Sequence, residues 1–83
     1  MWYVYFLKLA NEAIYVGSTD NLRRRVNQHQ DGYVVSTKPH RPVLLESYIA
    51  VATEPHARRL ERYFKSGSGK AFAMKRLIKA PEL

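Results

Sequence analysis

Two β-rich runs stand nearly back to back at the N-terminus, Trp2-Tyr3-Val4-Tyr5-Phe6-Leu7-Lys8-Leu9 and Ala13-Ile14-Tyr15-Val16-Gly17, with only Ala10 to Glu12 between them. Parallel strands need a crossover of a dozen or more residues, so a gap this short dictates an antiparallel hairpin. Side chains alternate between the faces of a strand, and directly opposed residues share a face. A three- or five-residue connection centred near Glu12 therefore puts Tyr5 and Tyr15 on one side. Trp2, Val4, Phe6, Ile14 and Val16 then make the other side apolar. A two-residue Asn11-Glu12 turn would separate the two tyrosines. The odd connection is the better solution, because it gathers the tyrosine hydroxyls on one face and leaves the other free to form a core.

Downstream of the hairpin, Ser18, Thr19 and Asp20 offer helix-capping oxygens, and Asn21 to about Gln30 reads as a helix stopped by Asp31-Gly32. Tyr33 to Pro42, with prolines at 39 and 42, is a loop. Val43 to Val51 is a third strand. Thr53-Glu54-Pro55 opens a second helix, a cap followed by Pro in the first turn, which runs to about Ser66. Gly67-Ser68-Gly69 breaks it, and Lys70 to Lys79 forms a third helix that frays at Pro81. The fold class is α+β: a three-stranded antiparallel sheet with three helices in the order β-β-α-β-α-α. The 83 residues leave room for one domain, residues 1–83.

Composition narrows the function. With no cysteine there is neither a disulfide framework nor the usual zinc ligand set, which suits a reducing, cytoplasmic setting. The longest apolar run, Trp2 to Leu7, is far short of the ~20 residues that span a bilayer, so no membrane role is expected. Fourteen Lys and Arg against seven Asp and Glu give a net charge of +7, which attracts polyanions, and nucleic acid above all. The excess is uneven. From Arg58 to Lys79 there are eight cations and one acid, Glu61. Arg58, Arg62, Lys65, Lys70, Lys75 and Arg76 are accordingly the candidate nucleic-acid-binding residues.

On the first helix, Leu22 and Val26 mark the buried stripe, and Arg25 and His29 lie beside it, four residues apart. Arg23, Arg24 and Gln28 are better placed for solvent. On the second, Ala57, Leu60 and Phe64 form the stripe with Glu61 at its margin. Ordinary helix pairing with Lys65 and Arg58 accounts for Glu61 taken alone, and packing accounts for each tyrosine taken alone. Ser66-Gly67-Ser68-Gly69-Lys70 is not a Walker loop, because no Gly stands five residues before Gly69 and Ala71 replaces the Ser or Thr. It reads as an interhelical turn. The acids are scattered through turns, caps and the tail, and besides Glu61 only Glu46 sits on a strand. A two-metal site needs several converging carboxylates, so one divalent cation is the natural count. Nucleophile activation then falls to a tyrosine or a histidine.

Taken together, Tyr3-Val4-Tyr5, Tyr15-Val16-Gly17, Leu22 with Arg25 and His29, and Leu60-Glu61 resemble the pattern of the GIY-YIG nuclease superfamily over nearly the whole chain. Phe64 to Gly69 is similar to a stretch of its small stand-alone members. Tyr3 stands where the first triplet of the pattern has Gly, and no Asn follows Glu61 at the place where many members carry one. The resemblance implies a sheet flanked by helices and phosphodiester hydrolysis with a divalent metal, Mg²⁺ or Mn²⁺. It makes Tyr5 and Tyr15 the motif tyrosines, one acting toward the attacking water and the other orienting it or the phosphate. It gives Arg25 the phosphorane charge, His29 a hydrogen bond or a proton to carry, Glu61 the metal, and Gly17 a tight backbone turn into the helix.

The expected function is a metal-dependent endonuclease acting on DNA in repair or recombination, with single-stranded, nicked and branched forms among the candidate substrates. The alternative is a nucleic-acid-binding module of the same fold with weak or no cleavage. On the enzymatic reading, the tyrosine hydroxyls, the Arg25 guanidinium and the Glu61 carboxylate should line one cleft.

Overall fold

The computed structural model describes residues 1–78. The strands are β1 (Trp2–Lys8), β2 (Ile14–Thr19) and β3 (Leu44–Val51), and the helices are α1 (Leu22–Gln30), α2 (Glu54–Lys65) and α3 (Gly67–Arg76). A short 3-10 turn, Lys38–His40, lies in the loop before β3. The chain is thus α+β with three antiparallel strands in spatial order β2-β1-β3 and the element order β-β-α-β-α-α.

The hairpin has the odd connection. Tyr5 faces Gly17, Phe6 faces Val16 and Leu7 faces Tyr15. Ala10, Asn11 and Glu12 make the link, centred on Asn11 rather than Glu12. The Glu12 amide donates to the Leu9 carbonyl at 2.9 Å, and Glu12 itself takes the left-handed conformation at φ 73°. This is the three-residue loop in which a turn is followed by one left-handed residue, and it preserves the parity that unites Tyr5 with Tyr15.

Parity also sorts the core into two layers. Val4, Phe6 and Val16 pack with Val51, Ala57, Phe64, Ala73 and Ile78, so α2 and α3 cover that face. Tyr5, Leu7, Leu9 and Val43 pack with Tyr15, Leu22, Val26 and Leu45, so α1 covers the other. The Gln30 side chain fastens the end of α1 to the start of β3, its amide accepting from the Val43 N–H at 3.1 Å and donating to the Val43 carbonyl.

Two local expectations are corrected. Asn21, not Ser18, Thr19 or Asp20, caps α1, its side chain accepting from the Arg24 N–H; Thr19 accepts from the Asn21 N–H instead. At the other end the helix stops at Asp31-Gly32 as expected: Gly32, at φ 83°, closes it with its N–H on the His29 carbonyl and the Tyr33 N–H on that of Gln28. Gly67-Ser68-Gly69 does not separate two helices: it is the first turn of α3. Ser66 alone ends α2 and caps α3, accepting from the Gly69 N–H. Gly69 is needed there because a Cβ would run into the Tyr63 carbonyl. The expected end of this helix at Lys79 and its fraying at Pro81 lie outside the described residues.

Candidate active site

Tyr5, Tyr15 and His29 form one cluster on the α1 face. The His29 ring stands 5.7 Å from the Tyr5 ring and 5.0 Å from the Tyr15 ring, edge-on to both, and the tyrosine rings are 6.3 Å apart. His29 is fully buried. Its Nε2 lies 3.0 Å from the Tyr5 hydroxyl and its Nδ1 2.8 Å from the Thr37 hydroxyl. Thr37 Oγ1 directs its own proton to the Val34 carbonyl at 3.4 Å, so it accepts from His29 Nδ1–H. Nε2 is then the acceptor, and Tyr5 donates to it. Burial, reinforced by the Arg25 charge, depresses the His29 pKa to about 4, so the ring is neutral at physiological pH. Burial raises the Tyr5 pKa above its ordinary value, against a hydrogen bond and the charge of Arg25 and with help from Tyr15 and, less, from Glu61.

Gly17 has a different role from the one implied by the resemblance. It lies inside β2 at an ordinary strand φ, and a Cβ there would collide with the hydroxyl and Cζ of Tyr5. The glycine makes room for the phenol rather than turning the chain.

Ser18, one residue on, points to the other face, and its hydroxyl donates to Glu61 Oε1 at 2.5 Å. Lys65 Nζ donates to the second carboxylate oxygen at 2.8 Å. Burial pushes the Glu61 pKa up, but these two hydrogen bonds and the charges of Lys65 and Arg58 outweigh it and hold the group below its ordinary value. Glu61 thus belongs to the helix opposite the tyrosine face. Tyrosines and carboxylate do not share one face; they approach each other around the outer strand, through the adjacent pair Gly17 and Ser18.

A cavity of about 280 Å³ opens at this edge, with Ser18, Arg24, Arg25, Gln28 and Arg58 among its lining residues; of the four groups expected to line one cleft, Arg25 lines it and Tyr5, Tyr15 and Glu61 do not. Arg24 is paired with Asp20 at 3.2 Å, and Arg58 holds Glu54 through two nitrogens at 2.8 and 2.9 Å. Arg25 donates to the neutral amide oxygen of Gln28 at 3.0 Å and lies near the Tyr5 hydroxyl, and among the described residues no carboxylate pairs with it. Of the three, it is the guanidinium whose charge is not already matched. Gln28 is half-buried here rather than directed to solvent.

Arg62, Lys70, Lys75 and Arg76 lie exposed along α2 and α3, outside this cavity. Lys65 is engaged with Glu61. Thr37 was beyond reach of sequence reasoning, since it sits in a loop with no periodic signal. Ser18 could have been found by parity, because the residue after Gly17 must face α2.

Hard oxygen donors are what Mg²⁺ or Mn²⁺ takes, and Mg²⁺ is commonly held by one or two carboxylates, waters and a substrate phosphate. Ionised Glu61 with the Ser18 hydroxyl fits that donor set, and the Lys65 ammonium already shows a cation seated on the free carboxylate oxygen. Among the described residues no three His, Asp or Glu side chains converge, so such an ion would have Glu61 as its lone carboxylate. No helix among them is long and apolar enough to cross a membrane.

A hairpin carrying paired tyrosines, an α1 with Arg25 and His29, and an α2 with Glu61 define a nuclease-type catalytic domain, and the chain belongs to the GIY-YIG family: the model of the GIY-YIG catalytic domain matches residues 1–76. Within it, the chain is similar to small proteins named UPF0213. It is 34% identical to one from Vibrio campbellii over 77% of this chain and 62% of the relative, and 35% identical to one from Clostridium perfringens over 78% and 71%. The solution NMR structure of a UPF0213 protein from Bacillus halodurans superposes with a TM-score of 0.57 at 28% identity, covering 90% of this chain and 84% of that one.

Proposed function

We propose that the chain, acting as a single domain, is a divalent-metal-dependent endonuclease that hydrolyses phosphodiester bonds in DNA. The observation that carries this reading is the cavity at the end of β2, where a guanidinium with no carboxylate partner among the described residues stands beside a hydroxyl bonded to an ionised carboxylate. Arg25 binds the scissile phosphate and offsets the charge that develops on it. Glu61, with the Ser18 hydroxyl, holds a Mg²⁺ or Mn²⁺ ion, which supplies further neutralisation of phosphate charge when bound.

Nucleophile activation falls to Tyr5. Its proton is already directed at neutral His29 Nε2, which leaves the oxygen lone pairs to accept a hydrogen bond from the attacking water and orient it. Thr37 keeps the imidazole in the tautomer that accepts from Tyr5, and Tyr15 packs against both rings and holds their orientation. The family membership supports a nuclease, and the +7 charge supports DNA as the substrate.

The test is incubation of supercoiled, nicked, branched and single-stranded DNA with purified protein and Mg²⁺ or Mn²⁺, with EDTA and Glu61→Ala as controls. Metal-dependent cleavage lost in Glu61→Ala supports the assignment. Cleavage that survives the substitution refutes the role of Glu61, and binding without cleavage by any form assigns a binding module instead.

A further inference from the structure

The sheet face under α1 is only partly covered. Beyond the helix N-terminus, Tyr3 of β1 and Tyr48 of β3 stand on the same face as Tyr5, and their ring centroids are 5.9 Å apart at an interplanar angle of 70°. Tyr48 is 54% exposed, an unusual cost for a strand aromatic next to a half-covered sheet. A hollow of about 410 Å³ surrounds the pair, lined also by Asp20, Asn21, Leu22 and Arg23. Asp20 borders both this hollow and the cavity that holds Arg25, so the two are neighbours. Tyr3 occupies the place where the family pattern has Gly, so half of this pair is a side chain that the nuclease chemistry does not require.

We propose that Tyr3 and Tyr48 form a stacking platform for an unpaired base of single-stranded DNA whose backbone runs into the Arg25 cavity. An edge-on pair leaves a ring face open, and a base of any sequence stacks on such a face. Charge selects the occupant. Arg23, Arg24 and Arg25 follow one another at the rim, and the one acid of the hollow, Asp20, is already engaged by Arg24. An extended polyanion with flat apolar bases suits that combination, whereas duplex DNA keeps its base faces stacked inside. The platform rests on the nuclease reading for the direction of the strand, but not for the stacking itself.

The test is fluorescence anisotropy in EDTA, so that no cleavage intervenes, with labelled oligothymidine and an abasic oligonucleotide of equal length. Wild-type protein should prefer oligothymidine, and Tyr48→Ala should weaken that binding roughly 5- to 100-fold, the effect of losing one base stack. Binding of the abasic strand should not change, and Tyr48→Trp should restore the preference. Because Tyr48 is exposed, Tyr48→Ala should keep the wild-type circular dichroism spectrum. Equal affinity of wild-type protein for the two strands overturns the platform, as does unaltered oligothymidine binding by Tyr48→Ala. A drop in solution mass on Tyr48→Ala without loss of DNA affinity also overturns it and assigns the face to a second copy of the chain. Cleavage without base preference would leave the nuclease standing and remove the platform, and base preference without cleavage would do the reverse.

Discussion

The Tyr5 hydroxyl lies over Gly17, in the space that a Cβ on that residue would fill. The contact joins the central strand to the outer one at the point where the tyrosine face meets the carboxylate on α2. A methyl group there must push the phenol away from His29 or spread the strands.

Gly17→Ala should therefore destabilise the protein by about 1–3 kcal/mol, the usual range for overpacking, although its backbone conformation accepts alanine. Urea unfolding measures this. Placing the same change in a Tyr5→Leu background should cost much less, because the ring that meets the methyl is gone. Additive effects of the two substitutions would show that Tyr5 does not rest on Gly17.

Acid should weaken the fold through His29. Its folded pKa of about 4 lies below the ordinary 6.5, so between these values the unfolded chain binds a proton that the native state refuses. Stability from this source is complete above about pH 6.5, falls as the pH drops toward 4, and changes no further below that. The loss should be roughly 1–3 kcal/mol, read as the shift in urea midpoint across pH 4–8. His29→Gln should flatten this window while lowering stability at pH 8, since Tyr5 and Thr37 lose a well-placed partner. A His29→Gln profile that kept the wild-type slope would place the acid sensitivity elsewhere.

The same site shows how far a one-dimensional pattern reaches. Hairpin spacing suffices to bring Tyr5 and Tyr15 to one face, because strand parity is a local rule. The caps Asn21 and Ser66 are not legible in the sequence, because several neighbouring residues could serve and only the path of the chain chooses among them. Gly67 and Gly69 look like a break, since glycine weakens helices in isolation. Here the Ser66 cap and close packing against the Tyr63 carbonyl outweigh that propensity. The role of Gly17 and the partnership of Thr37 with His29 depend on contacts between distant segments, which no spacing encodes.

Lys65 and a metal compete for Glu61. Lys65→Met removes the ammonium from Oε2, so Mn²⁺ should bind about 2- to 5-fold more tightly, a modest gain because the pair is largely exposed on the lysine side. Isothermal titration calorimetry reads this directly. Without the lysine hydrogen bond and charge, the Glu61 pKa should also rise, seen by carboxyl NMR. Wild-type Glu61 adds stability above its unfolded pKa and loses it as the pH falls through the depressed folded value. In Lys65→Met the window between the two values narrows, so the loss should be smaller and complete at a higher pH. Mn²⁺ binding that persists in Glu61→Gln would place the ion elsewhere.

The basic surface divides into cations that are already matched and cations that are not. Arg58 and Lys65 hold Glu54 and Glu61, whereas Arg62, Lys70, Lys75 and Arg76 are exposed and make no ion pair among the described residues. A cation released from no carboxylate gives its full charge to a phosphate, so the unmatched group should dominate the salt dependence of DNA binding. We expect Arg62→Ala and Lys75→Ala each to reduce the slope of log Kobs against log salt by up to about 0.9 on duplex DNA and about 0.7 on single strands. Arg58→Ala should change it less, because Arg58 is already matched by Glu54 and gives less of its charge to a phosphate. Anisotropy titrations between 50 and 200 mM salt make the comparison. A slope unaltered by the α2 and α3 substitutions but reduced by Arg25→Ala would confine phosphate contact to the cavity at the end of β2 and leave the helical cations as a solubility device.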